Sequence, residues 1–215
     1  MAQKNTTPKL VIYGCGGHGK VVADIALCRG LAVAGFVDDG APEGGRVLGL
    51  PVLGGAGWLE AHRSEVIVAL GIGEKRARHR VHQLCAALGL DPVTLIHPNA
   101  TVAASARIGA GVVIMAQAVI NPDARIGDGA IINSGAVVEH DCEVGAFAHL
   151  APNATLGGAV RIGALAHVGL GASVLPGKAV GPDAMVGAGA VVVTDVPPGV
   201  VVVGIPARLH RSSRS

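Results

Sequence analysis

From Ile96 to Val192, every sixth residue is Ile, Val or Leu, at seventeen positions without a miss. Four residues after each stands a small or short side chain: twelve Ala, three Val and Cys142, with Lys178 as the one exception. Neither the 3.6-residue period of a helix nor the two-residue alternation of a strand produces that spacing. A strict period of six predicts a hexapeptide β-helix, each hexad being one short strand plus a corner. The aliphatic residue points inward and fills the prism. The small residue fits where the chain turns. Three hexads make one coil, so the run predicts between five and six coils. Neighbouring coils stack at the ordinary strand spacing of ~4.8 Å. Such a prism leaves backbone edges open only at its two ends. The segment after Pro197, or another chain, is expected to cover the far end.

The composition agrees with an aliphatic prism. Half of the 215 residues are hydrophobic, yet the chain holds one Trp, one Tyr and two Phe. The 33 glycines suit a chain full of corners. The net charge of +2 is mild, and Lys and Arg are scattered with few aromatics between them, which argues against a nucleic-acid partner. The basic stretch Arg208–Ser215 is expected to be a solvated end. Cys15, Cys28, Cys85 and Cys142 are dispersed, with no CxxC. That argues against a disulfide framework or a structural zinc site, and for a cytoplasmic location. The start, MAQKNTTPK, has no apolar h-region, and no stretch reads as a transmembrane helix, so no membrane partner is expected.

Residues 1–95 read differently from 96–215. Lys9–Tyr13 is a short apolar run, followed by GCGGHG at Gly14–Gly19 and a helical pattern through Val21, Val22, Ile25 and Ala26. Ala32–Val37 and Val66–Leu70 read as further strands, with a basic-faced helix from about Glu74 to Leu88 and a last short strand at Val93–Ile96. This order predicts a small α/β domain with a parallel sheet. GCGGHG fits G-x-G-x-x-G between a strand and a helix, and Asp38 follows the second strand. Glycines let the backbone approach phosphate, and a helix N-terminus favours negative charge. The literal reading is a dinucleotide. The domain supplies only one mononucleotide-binding half, however, so a sugar-linked nucleoside diphosphate is the favoured occupant. A merely structural turn is the remaining alternative. His18 lies inside the loop, where its ring could reach a diphosphate or a sugar.

The hexad Val138–Glu143 concentrates polar groups. Val138 and Cys142 hold its inward positions, so Cys142 reads as a buried filler rather than a nucleophile. His140 has Glu139 and Asp141 on either side. A carboxylate hydrogen-bonded to an imidazole orients it and raises its basicity, which suits a general base near neutral pH. The bland alternative is an exposed histidine on a charged corner. His149 and His167 are three hexads apart and should stack on adjacent coils along one outer edge. They could line a groove or hold a metal. The ligand pattern of the β-helix carbonic anhydrases is not seen, and no metal is expected.

The loop IYGCGGHG, the pair Asp38-Asp39 and the run Ile132–Cys142 (INSGAVVEHDC), with the ending GIPAR at Gly204–Arg208, resemble bacterial nucleotide-sugar N-acetyltransferases of the left-handed β-helix class. The similarity spans about Lys9 to Arg208. It implies a Rossmann-like nucleotide-binding domain at 1–95 and a left-handed parallel β-helix at 96–215. It implies acetyl transfer from acetyl-CoA to the amine of a nucleotide-linked 4-amino-4,6-dideoxy sugar, in a cytoplasmic homotrimer serving glycan synthesis. By the same resemblance His140 is the general base and Asp141 its acidic neighbour. Gly16, Gly17 and His18 contact the nucleotide sugar, Asp38 and Asp39 the nucleoside, and Gly71 forms the turn beside it. Asn133 faces the site. His149 contacts acetyl-CoA near the thioester, and the backbone at Leu170 and Ala188 contacts its pantetheine arm. Gly16 stands where some relatives have Ser, which removes a hydroxyl from the loop. Sugar O-acetylation on the same framework and a non-catalytic scaffold are the rival readings.

Overall fold

A computed structural model describes residues 8–210. The chain divides into two compact units at Leu95/Ile96. No helix among the described residues is long and apolar enough to cross a membrane.

The first unit runs β1 (Lys9–Tyr13), α1 (Gly17–Cys28), β2 (Val33–Val37), β3 (Arg46–Val47), β4 (Leu50–Gly54), α2 (Ala56–His62), β5 (Val66–Leu70) and α3 (Lys75–Ala87). Its sheet has the order β3-β4-β2-β1-β5, parallel throughout except for the β3–β4 hairpin. The interior strand β1, between β2 and β5, is buried from Leu10 to Tyr13, as a parallel strand covered on both faces must be. Along α1 the buried set includes Val22, Ile25 and Ala26, spaced one helical turn apart, while Val21 faces outward. Helix α3 starts where Glu74 caps it, accepting from the N–H of Arg76 and of Ala77 at 2.9 and 2.6 Å. The hairpin and α2 are not legible in the apolar pattern. Pro51 and the glycines at 44, 45, 49, 54 and 55 give this stretch the look of a loop.

The second unit is a three-sided parallel β-helix. Two-residue strands recur with the hexad, and each pairs with the strand one coil on, three hexads later. Val119 is paired with Val137, Arg125 with Glu143 and His149 with His167. The period-six aliphatics and their small partners form one continuous core, from Val112 and Ile114 to Ala190 and Val192. Cys142 is fully buried in it. At the far end Val201–Val203 extends one sheet, and Arg208–Leu209 folds back antiparallel upon it. Val202 and Ala207 close the core there. Arg208 and Leu209 are thus part of a strand, whereas residues 211–215 lie outside the described range.

The corners have a second periodicity. All fourteen positions from Gly111 to Gly189, taken six apart, have φ between +56° and +71°. This left-handed residue turns the chain, and its N–H reaches back to a carbonyl of the preceding coil. Asp141 donates to Pro122, Ala159 to His140 and Gly177 to Gly158, at 2.9–3.1 Å. At Gly177 (φ +71°) a side chain would meet open space, so only backbone strain limits substitution. Gly177→Val is expected to destabilise the protein by about 1–3 kcal/mol. Gly177→Asn, a residue that tolerates this region, should lose less. Denaturant midpoints of the two variants compare them directly; equal losses would contradict the strain account.

Candidate active site

In the first unit the chain leaves β1 for α1 and β2 on one side, and returns to β5 on the other. The loops after β1 and β5 therefore flank a switch point, where open α/β sheets bind ligands. The glycines there divide into two groups. A Cβ on Gly19 would overlap the Gly14 carbonyl oxygen, and one on Gly71 would sit 2.6 Å from that same atom. These three glycines let β1, α1 and the β5 loop close upon one another. A Cβ on Gly16 or Gly17 would meet nothing within 4 Å. Gly16 is the N-cap of α1, and no side chain caps the helix. The start of α1 therefore presents its first amides beside open backbone, unlike the Glu74-capped start of α3.

Asp38 and Asp39 are tied into the same region. Asp38 accepts from the N–H of Cys15 (2.8 Å) and of Gly40 (2.9 Å). Burial pushes its carboxyl up, but those backbone donors outweigh it and hold the pKa below the ordinary value. Asp39 accepts from the Ala56 N–H at 2.8 Å and from the Tyr13 hydroxyl at 2.5 Å. Burial, then this bond, keeps the Tyr13 phenol protonated far above its usual range. Both carboxylates line a cavity of about 370 Å³ with Tyr13, Gly14, Ile72 and α3 residues Ala77, Arg80, Val81 and Leu84.

His18 is held neutral. Burial, then the charge of Arg78, lowers its pKa to about 4. Its Nε2 is buried with no hydrogen-bond partner. Arg78 is fully buried, and its Nη1 donates to the carbonyls of Ile72 (3.1 Å) and Gly73 (2.7 Å), pinning the β5–α3 loop.

In the second unit His140 occupies a corner, just before the left-handed residue Asp141. Its Nδ1 lies 2.8 Å from Asp141 Oδ2. A carboxylate only accepts, so the neutral ring carries its proton on Nδ1 and leaves the Nε2 lone pair free. The bond to Asp141 raises the imidazole pKa above its ordinary value; desolvation opposes it, and the charges of Asp141 and Glu139 add to the rise. The ring lies over Gly158, where a Cβ would come within 2.6 Å of its Cε1 and Nε2. Cys142 points the other way: its Sγ donates to the Gly157 carbonyl at 3.2 Å, and burial pushes its thiol pKa up.

Asn133, His149, Leu170 and Ala188 lie along a different corner. The Asn133 Oδ1 accepts the Ser134 N–H at 2.8 Å, which turns its amide NH₂ toward His149. Asn133 Nδ2 donates to His149 Nε2 at 3.1 Å, so a neutral His149 carries its proton on Nδ1. His149 and His167 are neighbours as their spacing predicts, but not stacked: their rings meet edge-on, 4.9 Å apart at 85°. Leu170 and Ala188 sit one coil apart, each just beyond a strand of the same sheet. The strand Val137–Val138 separates this corner from His140. One chain thus brings His140 and Asp141 together, and Asn133 and His149 together, but keeps the two pairs apart. A broad groove of about 750 Å³ over Arg107, Arg125, Glu143 and Arg161 contains none of these residues.

Residues 9–84 match the PglD N-terminal domain, and residues 105–140 and 123–158 match the bacterial transferase hexapeptide (six repeats). A perosamine N-acetyltransferase from Caulobacter crescentus, solved as a histidine-to-asparagine variant with CoA and GDP-perosamine, is 42% identical. The match covers 96% of this chain and 99% of that one, with a TM-score of 0.92. The acetyltransferase domain of PglB from Neisseria gonorrhoeae is 40% identical over 95% of this chain and 100% of its own, with a TM-score of 0.88. UDP-N-acetylbacillosamine N-acetyltransferase of Bacillus subtilis is 42% identical over 110 residues, spanning 48% of this chain and 50% of its own length.

The chain belongs to the nucleotide-sugar N-acetyltransferase family. Its Rossmann-like first unit and left-handed β-helix are that family's two parts. Two residues of this family member escape a sequence reading. Gly158 looks like any other corner glycine, and only the three-dimensional coil places it under His140. Arg78 sits in a basic helix, where nothing but burial distinguishes it from Arg76 and Arg80. The His140–Asp141 bond predicts a titration. The His140 ring should titrate in NMR with a midpoint above the ordinary ~6.5, and Asp141→Asn should move that midpoint down. An unchanged midpoint would mean that the 2.8 Å bond does not persist in solution.

Proposed function

We propose that this protein transfers an acetyl group from acetyl-CoA to the 4-amino group of a nucleotide-linked 4-amino-4,6-dideoxy sugar, GDP-perosamine being favoured over a UDP-linked amino sugar. The observation that carries the reading is the His140–Asp141 pair, an oriented imidazole with a free Nε2 on an exposed corner. The sugar's neutral amine attacks the thioester carbonyl and forms the C–N bond. His140 Nε2 takes the proton that the nitrogen sheds, and Asp141 stabilises the imidazolium. CoA leaves as the thiolate when the tetrahedral intermediate collapses. General-base help of this kind contributes roughly 10²–10⁴-fold, and positioning of the two substrates contributes more.

The remaining residues take supporting roles. Gly16 and Gly17 give the diphosphate access to the uncapped start of α1, where backbone N–H groups and the helix dipole favour negative charge. His18, kept neutral, offers a hydrogen bond there rather than a positive charge. Asp38 and Asp39 accept from nucleoside hydroxyls or base N–H groups, and Gly71 keeps the adjoining loop close to β1. Asn133 orients His149, which contacts acetyl-CoA near the thioester. The backbone at Leu170 and Ala188 borders the pantetheine arm. Because the His140 corner and the His149 corner are apart in one chain, the reading requires a neighbouring copy to complete the site, as a homotrimer with acetyl-CoA between prisms would do.

The test is release of free CoA thiol from acetyl-CoA, with GDP-perosamine and a UDP-4-amino-4,6-dideoxy sugar assayed in parallel. Fast release with either supports N-acetylation and identifies the nucleotide. Release only with a hydroxyl acceptor would replace it with O-acetylation, and no stabilisation by acetyl-CoA would favour a scaffold. His140→Ala or His140→Asn should lower kcat at least ~100-fold while the assembly stays folded. Near-normal turnover would remove His140 from the mechanism. Kinetics should be sequential, since Cys142 is buried; an acetyl group trapped on Cys142 would refute direct transfer.

A further inference from the structure

We propose that Arg80 is a specificity-determining residue that selects a guanine over a uracil base in the first unit's pocket. The inference rests on the nucleotide-sugar reading above and adds to it the residue that chooses the nucleotide.

The pocket of about 370 Å³ has three kinds of wall. One is anionic, made by Asp38 and Asp39. Each of their four oxygens already accepts one bond from the protein, from Cys15, Gly40, Ala56 or Tyr13. They are therefore fixed acceptors, Asp38 being engaged also by the Cys15 thiol and the Ala41 N–H. The second wall is apolar: Ile72, with Ala77, Val81 and Leu84 from α3. Side chains at 77, 81 and 84 share one helical face, and a flat ring can lie against it. The third is Arg80, on the same helix. It is exposed, and its guanidinium makes no hydrogen bond or close salt bridge among the described residues, although its charge is felt by Glu74. This differs from Arg78 two positions earlier, whose guanidinium is buried and bonded to the Ile72 and Gly73 carbonyls.

A guanidinium carries a rigid fork of N–H donors and accepts nothing. Guanine offers it two adjacent acceptors, O6 and N7, and this bidentate pair is the commonest arginine contact to a base. Uracil has no such edge, because its two carbonyls flank an N–H donor. A carboxylate wall that holds the ribose or the guanine N–H groups, an apolar wall for the ring and an unengaged fork together match a purine with an acceptor edge. Arg80 selects for that edge. The phosphates are left to the start of α1, where Gly16 and Gly17 are open.

The test is calorimetric binding of GDP and of UDP to the full chain, wild type, Arg80→Ala and Arg80→Lys, with no acceptor sugar and no acetyl-CoA. The wild type should bind GDP at least about tenfold more tightly than UDP. Arg80→Ala should weaken GDP by about 10–100-fold and UDP by less than about threefold, removing the preference. Arg80→Lys, which keeps the charge but loses the fork, should recover only part of it. Arg80 is exposed, so the variants should melt with the wild type. Equal loss for both nucleotides would overturn the proposal, because Arg80 would then be acting on the phosphates. So would unchanged GDP binding in Arg80→Ala, or a wild type that prefers UDP. If neither nucleotide binds the wild type, the nucleotide-sugar reading itself fails. If CoA-thiol release with an amino sugar is normal but GDP selectivity is indifferent to residue 80, only the assignment of Arg80 fails.

Discussion

Everything in the second unit depends on a backbone ladder that repeats every three hexads. Each strand pairs with the one a coil below, and each corner residue with positive φ sends its N–H back to the previous coil. The side chains then have fixed tasks. The aliphatic row fills the prism, the small row fits the bend, and only the outward positions are free to carry chemistry. His140 is one of these outward positions. Its carbonyl is held by the Ala159 N–H and its ring lies over Gly158, so the next coil sets both the height and the tilt of the imidazole.

The left-handed corners also explain the composition. Six of the fourteen corner residues are Gly, and four more are Asp or Asn, the residues that enter this region most readily. Asp141 is one of the acidic corners. The residue that makes the turn is therefore the one whose carboxylate reaches His140 Nδ1. Gln117, Phe147, Ala159 and Leu165 occupy the same region without that advantage, and the surrounding ladder holds them there.

The first unit solves a different problem with the same economy of side chains. Its glycines at 14, 19 and 71 are structural, because any Cβ there would meet backbone. Those at 16 and 17 are open, so they can serve a ligand. A single motif, GCGGHG, thus combines packing and access. Buried Arg78 then braces the β5–α3 loop, while burial, helped by the Arg78 charge, keeps His18 uncharged.

The period of six was enough to establish the prism, its inward rows and the buried place of Cys142, because one residue in six must be aliphatic wherever a coil closes. The three-hexad spacing likewise made His149 and His167 neighbours, and the adjacency of His140 and Asp141 in the chain put a carboxylate within reach of an imidazole. The strand–glycine loop–helix order exposed the start of the first unit, while Pro51 and its flanking glycines concealed β3, β4 and α2. Other features required the folded chain, because they join residues far apart in sequence or depend on burial. Gly158 beneath His140 is a contact between coils. The Tyr13–Asp39–Ala56 link joins a strand end, a loop and a helix start. The edge-on meeting of His149 and His167 depends on ring orientation, which spacing does not specify. The contrast between buried Arg78 and exposed Arg80 is invisible in a run of basic residues, and only packing separates a brace from a solvent-facing guanidinium.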